Sequence, residues 1–210
     1  MDGFATLLDG YHRFRANRFD SERARWRELA EGQRPKAIVI ACCDSRADPA
    51  MIFDADPGEI FVVRNVANLV PPYEPNAGRH GVSAALEFAV TQLDVPTVVV
   101  MGHERCGGIQ AALTGQFHGA PPGEGGFVHR WMEQIDEDAT RIAASHGTGD
   151  EAARVLEEVA IRQSLGNLRS FPFVADRERR GEIALLGCHF SISEGQLYML
   201  DEAEDVFRPV

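Results

Sequence analysis

Two short segments of the chain combine cysteine, histidine and acidic residues at spacings that suit metal chemistry. The first, ACCDSRADP, runs from residue 41 to 49 and places two adjacent cysteines before an Asp-Ser-Arg triplet. The second, MGHERCGG, holds His103 and Cys106 three residues apart, a spacing that a tight turn brings to one ion. With one cysteine of the first segment, they make a set of two thiolates and one imidazole, which suits zinc.

The first segment also offers groups for catalysis beside such an ion. Three protein ligands leave the fourth tetrahedral position of zinc for water, as in catalytic zinc sites. Because side chains alternate along a strand, Cys42 and Asp44 are expected on one face and Cys43 on the other. Asp44 would then accept a hydrogen bond from zinc-bound water or take the fourth position itself. Arg46 is expected to hold Asp44 in a bidentate pair that keeps the carboxylate ionised.

The elements that must position these residues alternate between strands and helices. Apolar, β-branched runs predict strands at 36–42, 60–63, 97–101, 183–186 and 196–200. Helical periodicity predicts helices within 4–31, at 77–94, from 107 to near 113, at 127–145 and at 150–169. The acidic stretch DEAEDVF (201–207) is interpreted as a solvated end.

This alternation predicts an α/β fold in a single domain spanning residues 1–210. We expect a mainly parallel β-sheet of about four parallel strands plus an antiparallel edge strand, flanked by helices. Residues 1–32 form an N-terminal helical arm in this interpretation. Ligands of such sheets bind at the carboxyl ends of the strands, where Cys42 and His103 both fall.

Composition narrows the class of partner. The chain has 210 residues and a formal net charge of −11, which argues against nucleic acid or an anionic membrane surface as its main partner. No apolar run approaches the ~20 residues that span a bilayer. The first residues lack the basic and apolar regions of a signal peptide. We therefore expect a cytoplasmic protein whose four cysteines are reduced.

The two motifs together resemble those of the β-class carbonic anhydrases. CCDSR and GHERCGG match the family patterns C-x-D-x-R and H-x-x-C-G-G, and PGEIFVVRNVANLVPPY (57–73) is similar to the plant-type branch. The similarity runs from about Gly32 to Gly108 and is weaker towards both ends. It implies one zinc ion per chain, held by Cys42, His103 and Cys106.

The resemblance also implies an activity, the reversible hydration of CO2 to bicarbonate and a proton by attack of zinc-bound hydroxide. In this scheme Asp44 orients the zinc-bound water or hydroxide, Arg46 fixes Asp44, and Cys43 is a bystander thiol. The implied substrate-binding residues are Gln33, Phe61, Val66, Phe88 and Gly107. Gln33 and Phe61 are expected to come from a neighbouring subunit, which makes a homodimer the catalytic unit. The sequence does not decide between a dimer and a tetramer or larger assembly.

Two departures from the family pattern refine this expectation. Phe88 stands where the plant-type pocket has a tyrosine, which removes a hydroxyl. Some bacterial members carry a tryptophan three residues before the first zinc cysteine, in a regulatory bicarbonate site that accompanies an Asp-ligated zinc. Val39 occupies that position here, so we expect an open site with Asp44 off the metal.

Two alternative functions remain at this stage. One is a hydrolase of COS or CS2 on the same scaffold, and the other is a non-enzymatic protein with a closed zinc site. Outside the motifs, Cys188 is interpreted as a core thiol. Four further histidines are interpreted as surface or loop residues: His12, His118, His129 and His146.

Overall fold

The computed structural model describes residues 2–75 and 78–210 and contains one six-stranded sheet. The strands are β1 (Ala37–Cys42), β2 (Ile60–Asn65), β3 (Thr97–His103), β4 (Ala184–Ser191), β5 (Gln196–Asp201) and β6 (Val206–Pro209). Their order is β2-β1-β3-β4-β5-β6, with the first four parallel and the last two antiparallel. The predicted mainly parallel sheet is confirmed, and it gains a second antiparallel strand.

The second antiparallel strand adds a hairpin to the predicted solvated acidic end. Residues 202–206 are exposed, as predicted. Val206 nevertheless pairs with Asp201 across a β5–β6 hairpin, the Phe207 ring packs against the core, and Arg162 Nε lies 2.6 Å from Asp205 Oδ1. The sequence analysis missed this strand because it counted the charges and overlooked the single apolar anchor.

The N-terminal helices form a compact unit that ends at Arg34, and the residues from Pro35 onward form the other. Helix α1 (Asp2–Arg13) continues into a π-helical stretch (Phe14–Phe19), and α2 is Arg23–Glu31. Phe14 and Trp26 meet edge to face with ring centroids 5.4 Å apart, and this contact holds the two helical pieces together. The division into one domain with an arm at 1–32 stays a prediction.

The helices of the larger unit differ from the predicted ones at three places. They are α3 (Pro49–Ile52), α4 (Gly81–Thr91), α5 (Gly107–Thr114), α6 (Gly126–Met132), α7 (Asp136–His146), α8 (Asp150–Ser170) and α9 (Pro172–Arg179). The helix predicted at 77–94 begins at 81, and its predicted first residue lies outside the described residues. The predicted helix 127–145 is broken by a 3₁₀ turn at Glu133–Ile135, and α9 was not predicted. No described helix is long and apolar enough to cross a membrane.

Helix α8 packs unusually close to the centre of the sheet. A Cβ atom placed on Gly102 of β3 would lie 2.7 Å from Ile161 Cδ1, and one on Gly187 of β4 would lie 2.8 Å from Ile161 Cγ2. The Ile161 side chain is fully buried in this contact, which contributes roughly 1.5–3 kcal/mol of hydrophobic stabilisation. The two glycines thus let α8 fix the strands that lead to the metal-binding motifs.

Candidate metal centre

The carboxyl ends of β1 and β3 bring the two motifs together. Ala41 pairs with Met101 across these neighbouring parallel strands, so Cys42 and His103 end their strands at the same edge of the sheet. Arg105 then adopts a left-handed conformation with φ 54°, which turns the chain so that Cys106 caps α5. One donor atom from each of Cys42, His103 and Cys106 lies within 4.8 Å of the others, and all three residues are buried.

The donor atoms of this cluster fit a zinc ion. His103 Nδ1 hydrogen-bonds to the Glu104 carbonyl oxygen at 2.9 Å, while its Nε2 is buried and has no hydrogen-bond partner among the described residues. A carbonyl contact at the far nitrogen is a common support for a metal-bound histidine. The Sγ atoms of Cys42 and Cys106 are 3.8 Å apart. Two thiols and one free imidazole nitrogen in a buried site are a zinc ligand set.

The two thiols share a proton unequally. The hydrogen bond from Cys106 lowers the pKa of Cys42 to about 4, against the effect of burial. The same contact, together with burial, raises the pKa of Cys106 well above its usual value. Metal ligation requires thiolates, and this contact favours ionisation of Cys42 over ionisation of Cys106.

Asp44 lies beside the ligand cluster and is hydrogen-bonded to Arg46. Asp44 Oδ1 accepts hydrogen bonds from the backbone N and the Nε of Arg46, each at 2.9 Å, and Oδ2 accepts one from Nη2 at 2.7 Å. These hydrogen bonds hold the pKa of Asp44 well below its usual range. Oδ2 is 4.0 Å from His103 Nε2. The ionised carboxylate is therefore adjacent to the cluster, and Arg46 occupies both of its oxygens.

Arg64 supports this turn and was not found by the sequence analysis. From β2 its guanidinium donates to the Cys42 carbonyl at 2.9 Å and the Asp44 carbonyl at 2.6 Å. It also pairs with Asp48, which caps α3, at 2.6 Å. An arginine inside an otherwise apolar strand was the signal that could have identified it.

Glu157 is the second residue that was missed. It is buried on α8, where Oε1 accepts the Cys106 backbone N–H at 3.0 Å and Oε2 is 2.9 Å from His189 Nε2. The carboxylate thus fixes Cys106, which belongs to the candidate metal cluster and directly precedes α5. The sequence signal that could have identified Glu157 is an acidic residue among the small and apolar residues of one face of α8. Cys188, beside His189, is a buried thiol whose pKa burial raises to about 12.

The predicted substrate-binding residues separate into two groups. Gly108 would place a Cβ 2.6 Å from Val66 Cγ1, so Val66 lies against the start of α5 near Gly107. Phe61 pairs with Ile38, four residues from the Cys42–Asn65 pair, which is about 13 Å along the strand.

Phe61 and Phe88 lie away from the chain's own cluster. The Phe88 ring stacks on Phe61 with centroids 6.0 Å apart and is 47% exposed. Gln33 is exposed and follows α2 in the N-terminal unit. The chain therefore brings Val66 and Gly107 to its ligand cluster but leaves Phe61 and Phe88 at the other end of β2.

Comparisons with known proteins agree with this geometry. The family model described as carbonic anhydrase matches residues 37–197. The mitochondrial β carbonic anhydrase 6 of Arabidopsis thaliana is 38% identical over 187 residues, covering 88% of the chain but only 63% of that relative's length. The same plant's β carbonic anhydrase 3 is 34% identical, covering 96% and 79%.

Solved structures of β-carbonic anhydrases share the fold. The structure of the β-carbonic anhydrase CcaA superposes with a TM-score of 0.91 at 30% identity, covering 99% of this chain and 100% of the other. The Coccomyxa β-carbonic anhydrase, solved in complex with acetazolamide, superposes with a TM-score of 0.75 at 26% identity, covering 98% and 86%.

Proposed function

This chain belongs to the β-carbonic anhydrase family, and on that premise we propose that it catalyses the zinc-dependent, reversible hydration of CO2 to bicarbonate and a proton. The observation that carries the proposal is the buried Cys42–His103–Cys106 cluster with the ionised Asp44 beside it. A closed structural zinc site needs no adjacent Asp–Arg pair. The pair therefore favours an enzyme over a purely structural metal site.

We infer that the Cys42–His103–Cys106 cluster of each chain holds one zinc ion. Cys42 Sγ, His103 Nε2 and Cys106 Sγ would hold it, since these are the buried donor atoms that converge. Zinc, when bound, supplies a Lewis acid, which in carbonic anhydrases with three histidine ligands lowers the pKa of water to about 7. The backbone carbonyl oxygen of Glu104 supports this site by accepting a hydrogen bond from His103 Nδ1–H, which leaves Nε2 free for the metal.

Asp44 orients the attacking water in this proposal. An ionised carboxylate accepts a hydrogen bond from the water and turns an oxygen lone pair towards the carbon of CO2. Arg46 keeps Asp44 charged and aimed through its bidentate contact. The same contact occupies both carboxylate oxygens, which favours an open site with Asp44 off the metal.

The apolar pocket for CO2 is completed by a second chain in this proposal. Val66 and Gly107 lie beside the chain's own ligands, whereas Phe61 is about 13 Å along the strand and stacks on the exposed Phe88. We infer that Phe61, Phe88 and Gln33 face the site of a neighbouring subunit in a homodimer. Helix α1 supports association because its apolar side chains are exposed at helical spacing: Phe4, Leu7, Leu8 and Tyr11.

Stopped-flow CO2 hydration by zinc-loaded protein tests the proposal. We expect activity at near-neutral and at mildly alkaline pH, because Asp44 is off the metal. Activity confined to alkaline pH would contradict the open site. Absence of hydration at either pH, with one zinc bound per chain, would contradict the proposed function, and a COS hydrolysis assay on the same sample would then test the alternative substrate.

A further inference from the structure

A second group of metal-ligating side chains lies outside the site described above. His118 lies in the loop between α5 and α6, His129 on α6, and Asp136 at the first position of α7. One donor atom from each of the three lies within 4.8 Å of the others. The sequence analysis interpreted both histidines as surface or loop residues, because the helix break that brings them to Asp136 was not predicted.

The distances in this group are close to those of a coordinated ion. His118 Nε2 is 3.8 Å from Asp136 Oδ2, and the two imidazole rings have centroids 4.9 Å apart. Two ligand atoms at about 2.1 Å from a tetrahedral zinc ion are roughly 3.4 Å apart. The donor atoms of all three residues lie within 4.8 Å of one another, so side-chain movements of about 1 Å bring the set to this spacing. A cavity of about 10 Å³ borders all three residues, which is about the volume that holds one water or ion.

The charge around this group favours a cation. Glu133 contributes a second carboxylate, with Oε1 at 3.8 Å from His129 Nε2. Glu133 begins the 3₁₀ turn between α6 and α7, so it lies between His129 and Asp136 along the chain. Within residues 2–75 and 78–210, neither carboxylate has an arginine or lysine in salt-bridge contact. Two carboxylates without a basic salt-bridge partner, beside two imidazole rings, are a favourable setting for a divalent ion.

The loop that carries His118 is held in place by close packing. Gly115 ends α5 with φ 64°, and a Cβ there would lie 3.1 Å from His118 Nδ1. The Phe117 ring packs so closely on Gly125 that a Cβ would approach it to 2.2 Å. The loop therefore presents His118 to α6 and α7 in a fixed position. His118 is 55% exposed and His129 24% exposed, so an ion reaches them from solvent.

We propose that His118, His129 and Asp136 form a second divalent-metal site, for which zinc is the expected ion and Glu133 a fourth donor. Two imidazoles with a carboxylate suit zinc among the common divalent ions. The site uses no residue of the Cys42–His103–Cys106 cluster. An ion bound there would link the α5–α6 loop to the start of α7.

Equilibrium dialysis of the full-length protein against zinc, with metal content measured at each free concentration, tests this site. We expect two equivalents per chain in the wild type, one tight and one weaker. The weaker equivalent should disappear in His118→Ala and in the isosteric Asp136→Asn, and persist in the matched control His146→Ala. Cys42→Ser should lose the tight equivalent and keep the weaker one, which separates this site from the proposed catalytic centre.

Cobalt substitution provides a second readout. We expect Co²⁺ in Cys42→Ser to give visible d–d bands without thiolate charge-transfer absorption, and His118→Ala should remove those bands in that background. A single zinc equivalent in the wild type would overturn the proposal. So would a weaker equivalent that remains unchanged in both His118→Ala and Asp136→Asn, because the ion would then bind elsewhere.

Discussion

Asp44 receives three hydrogen bonds from a single residue, Arg46, and this defines its role. These three hydrogen bonds fix the orientation of the carboxylate, and its Oδ2 lies 4.0 Å from His103 Nε2 of the ligand cluster. The charge and the direction of Asp44 are thus both set by Arg46. Removing the charge should impair catalysis without removing a metal ligand.

We predict that Asp44→Asn lowers kcat for CO2 hydration by about 100-fold or more, the usual contribution of a positioned acid–base group. The tight zinc equivalent should be retained, because the three residues of the Cys42–His103–Cys106 cluster are untouched. Stopped-flow kinetics with metal analysis measures both. Asp176→Asn, which removes a surface Asp–Arg pair on α9, is the matched control and should leave kcat unchanged. Loss of zinc in Asp44→Asn would show instead that Asp44 is a ligand.

The depressed pKa of Asp44 also predicts a pH dependence of stability. A carboxyl group whose pKa is lower in the folded than in the unfolded chain stabilises the fold above the unfolded value of about 3.9. That contribution is lost as the pH falls from there through the folded pKa. Denaturation of metal-free wild type and Asp44→Asn should therefore show a larger difference in free energy of unfolding near neutral pH than near pH ~3. A difference that grows on acidification would contradict the assignment.

Glu157 supplies a prediction about the ligand Cys106. Glu157→Ala leaves the buried Cys106 N–H and His189 without their acceptor, which costs about 1–3 kcal/mol for each unpaired group. Zinc affinity should fall by roughly 10–100-fold, as for other residues that orient metal ligands. Glu157→Gln keeps an acceptor oxygen and should retain most of both properties. Chelator competition and denaturation measure the two effects, and equal losses in both variants would show that the charge matters more than the hydrogen bond.

At this scale the sequence predicted the groups within the motifs but not the residues that support them. Cys42, Asp44 and Arg46 lie in one short segment, so their proximity needs no knowledge of the fold. Arg64 and Glu157 reach the site from β2 and α8, respectively. Their contacts depend on the strand register and on helix packing, which local patterns do not specify.

Among the elements, the packing of α8 on β3 and β4 requires glycine at two positions, Gly102 and Gly187. We predict that Gly102→Ala lowers the free energy of unfolding by about 1–3 kcal/mol, because the new methyl group overlaps Ile161. Ile161→Val in the same chain should recover part of that loss. Gly166→Ala on α8 is the matched control, since its Cβ would meet nothing within 4 Å. It should stabilise the helix by up to about 1 kcal/mol.

Chemical denaturation of the single and double variants measures the energetic coupling between Gly102 and Ile161. Strictly additive effects of Gly102→Ala and Ile161→Val would contradict the close contact. A loss of stability in Gly166→Ala as large as that in Gly102→Ala would contradict it as well, since the effect would then not depend on Ile161.

The elements themselves were predictable where their patterns are strong. The five predicted strands are mainly apolar runs, and each was found at its predicted place; all but the first extend further at the carboxyl end. The sequence missed β6 because four residues with one anchoring ring give almost no periodic signal. It also missed the 3₁₀ turn at Glu133–Ile135. This turn lies between His129 and Asp136, two members of the second group of metal-ligating side chains.

In the whole molecule, the distance between Phe61 and the chain's own ligands predicts a site shared between subunits. Chains carrying Gln33→Ala and chains carrying Asp44→Asn should each be nearly inactive alone. Mixed by co-refolding, half of the dimers pair one chain of each kind, and one of the two sites in such a dimer has both residues intact. We therefore expect about one quarter of wild-type activity. No recovery in mixed dimers, verified by light scattering, would show that Gln33 acts within its own chain.

The sequence could predict the family and the class of fold, whereas the assembly is not encoded in any local pattern. Gln33 and the apolar side chains of α1 are exposed in the single chain, so local patterns do not identify what would cover them. The cytoplasmic location stays a prediction, based on the composition of the chain. The absence of a nucleic-acid or membrane partner, expected from the net charge of −11, also stays a prediction.

The most direct test of the account compares Cys42→Ser with Cys43→Ser, two neighbouring substitutions of the same kind. One thiol is buried in the cluster and the other is exposed. Zinc content at the tight site and stopped-flow CO2 hydration would be measured on both variants and the wild type. We predict that Cys43→Ser keeps the tight zinc and the activity, and that Cys42→Ser loses both. Activity that survives in Cys42→Ser, or that is lost in Cys43→Ser alone, would contradict the proposed centre.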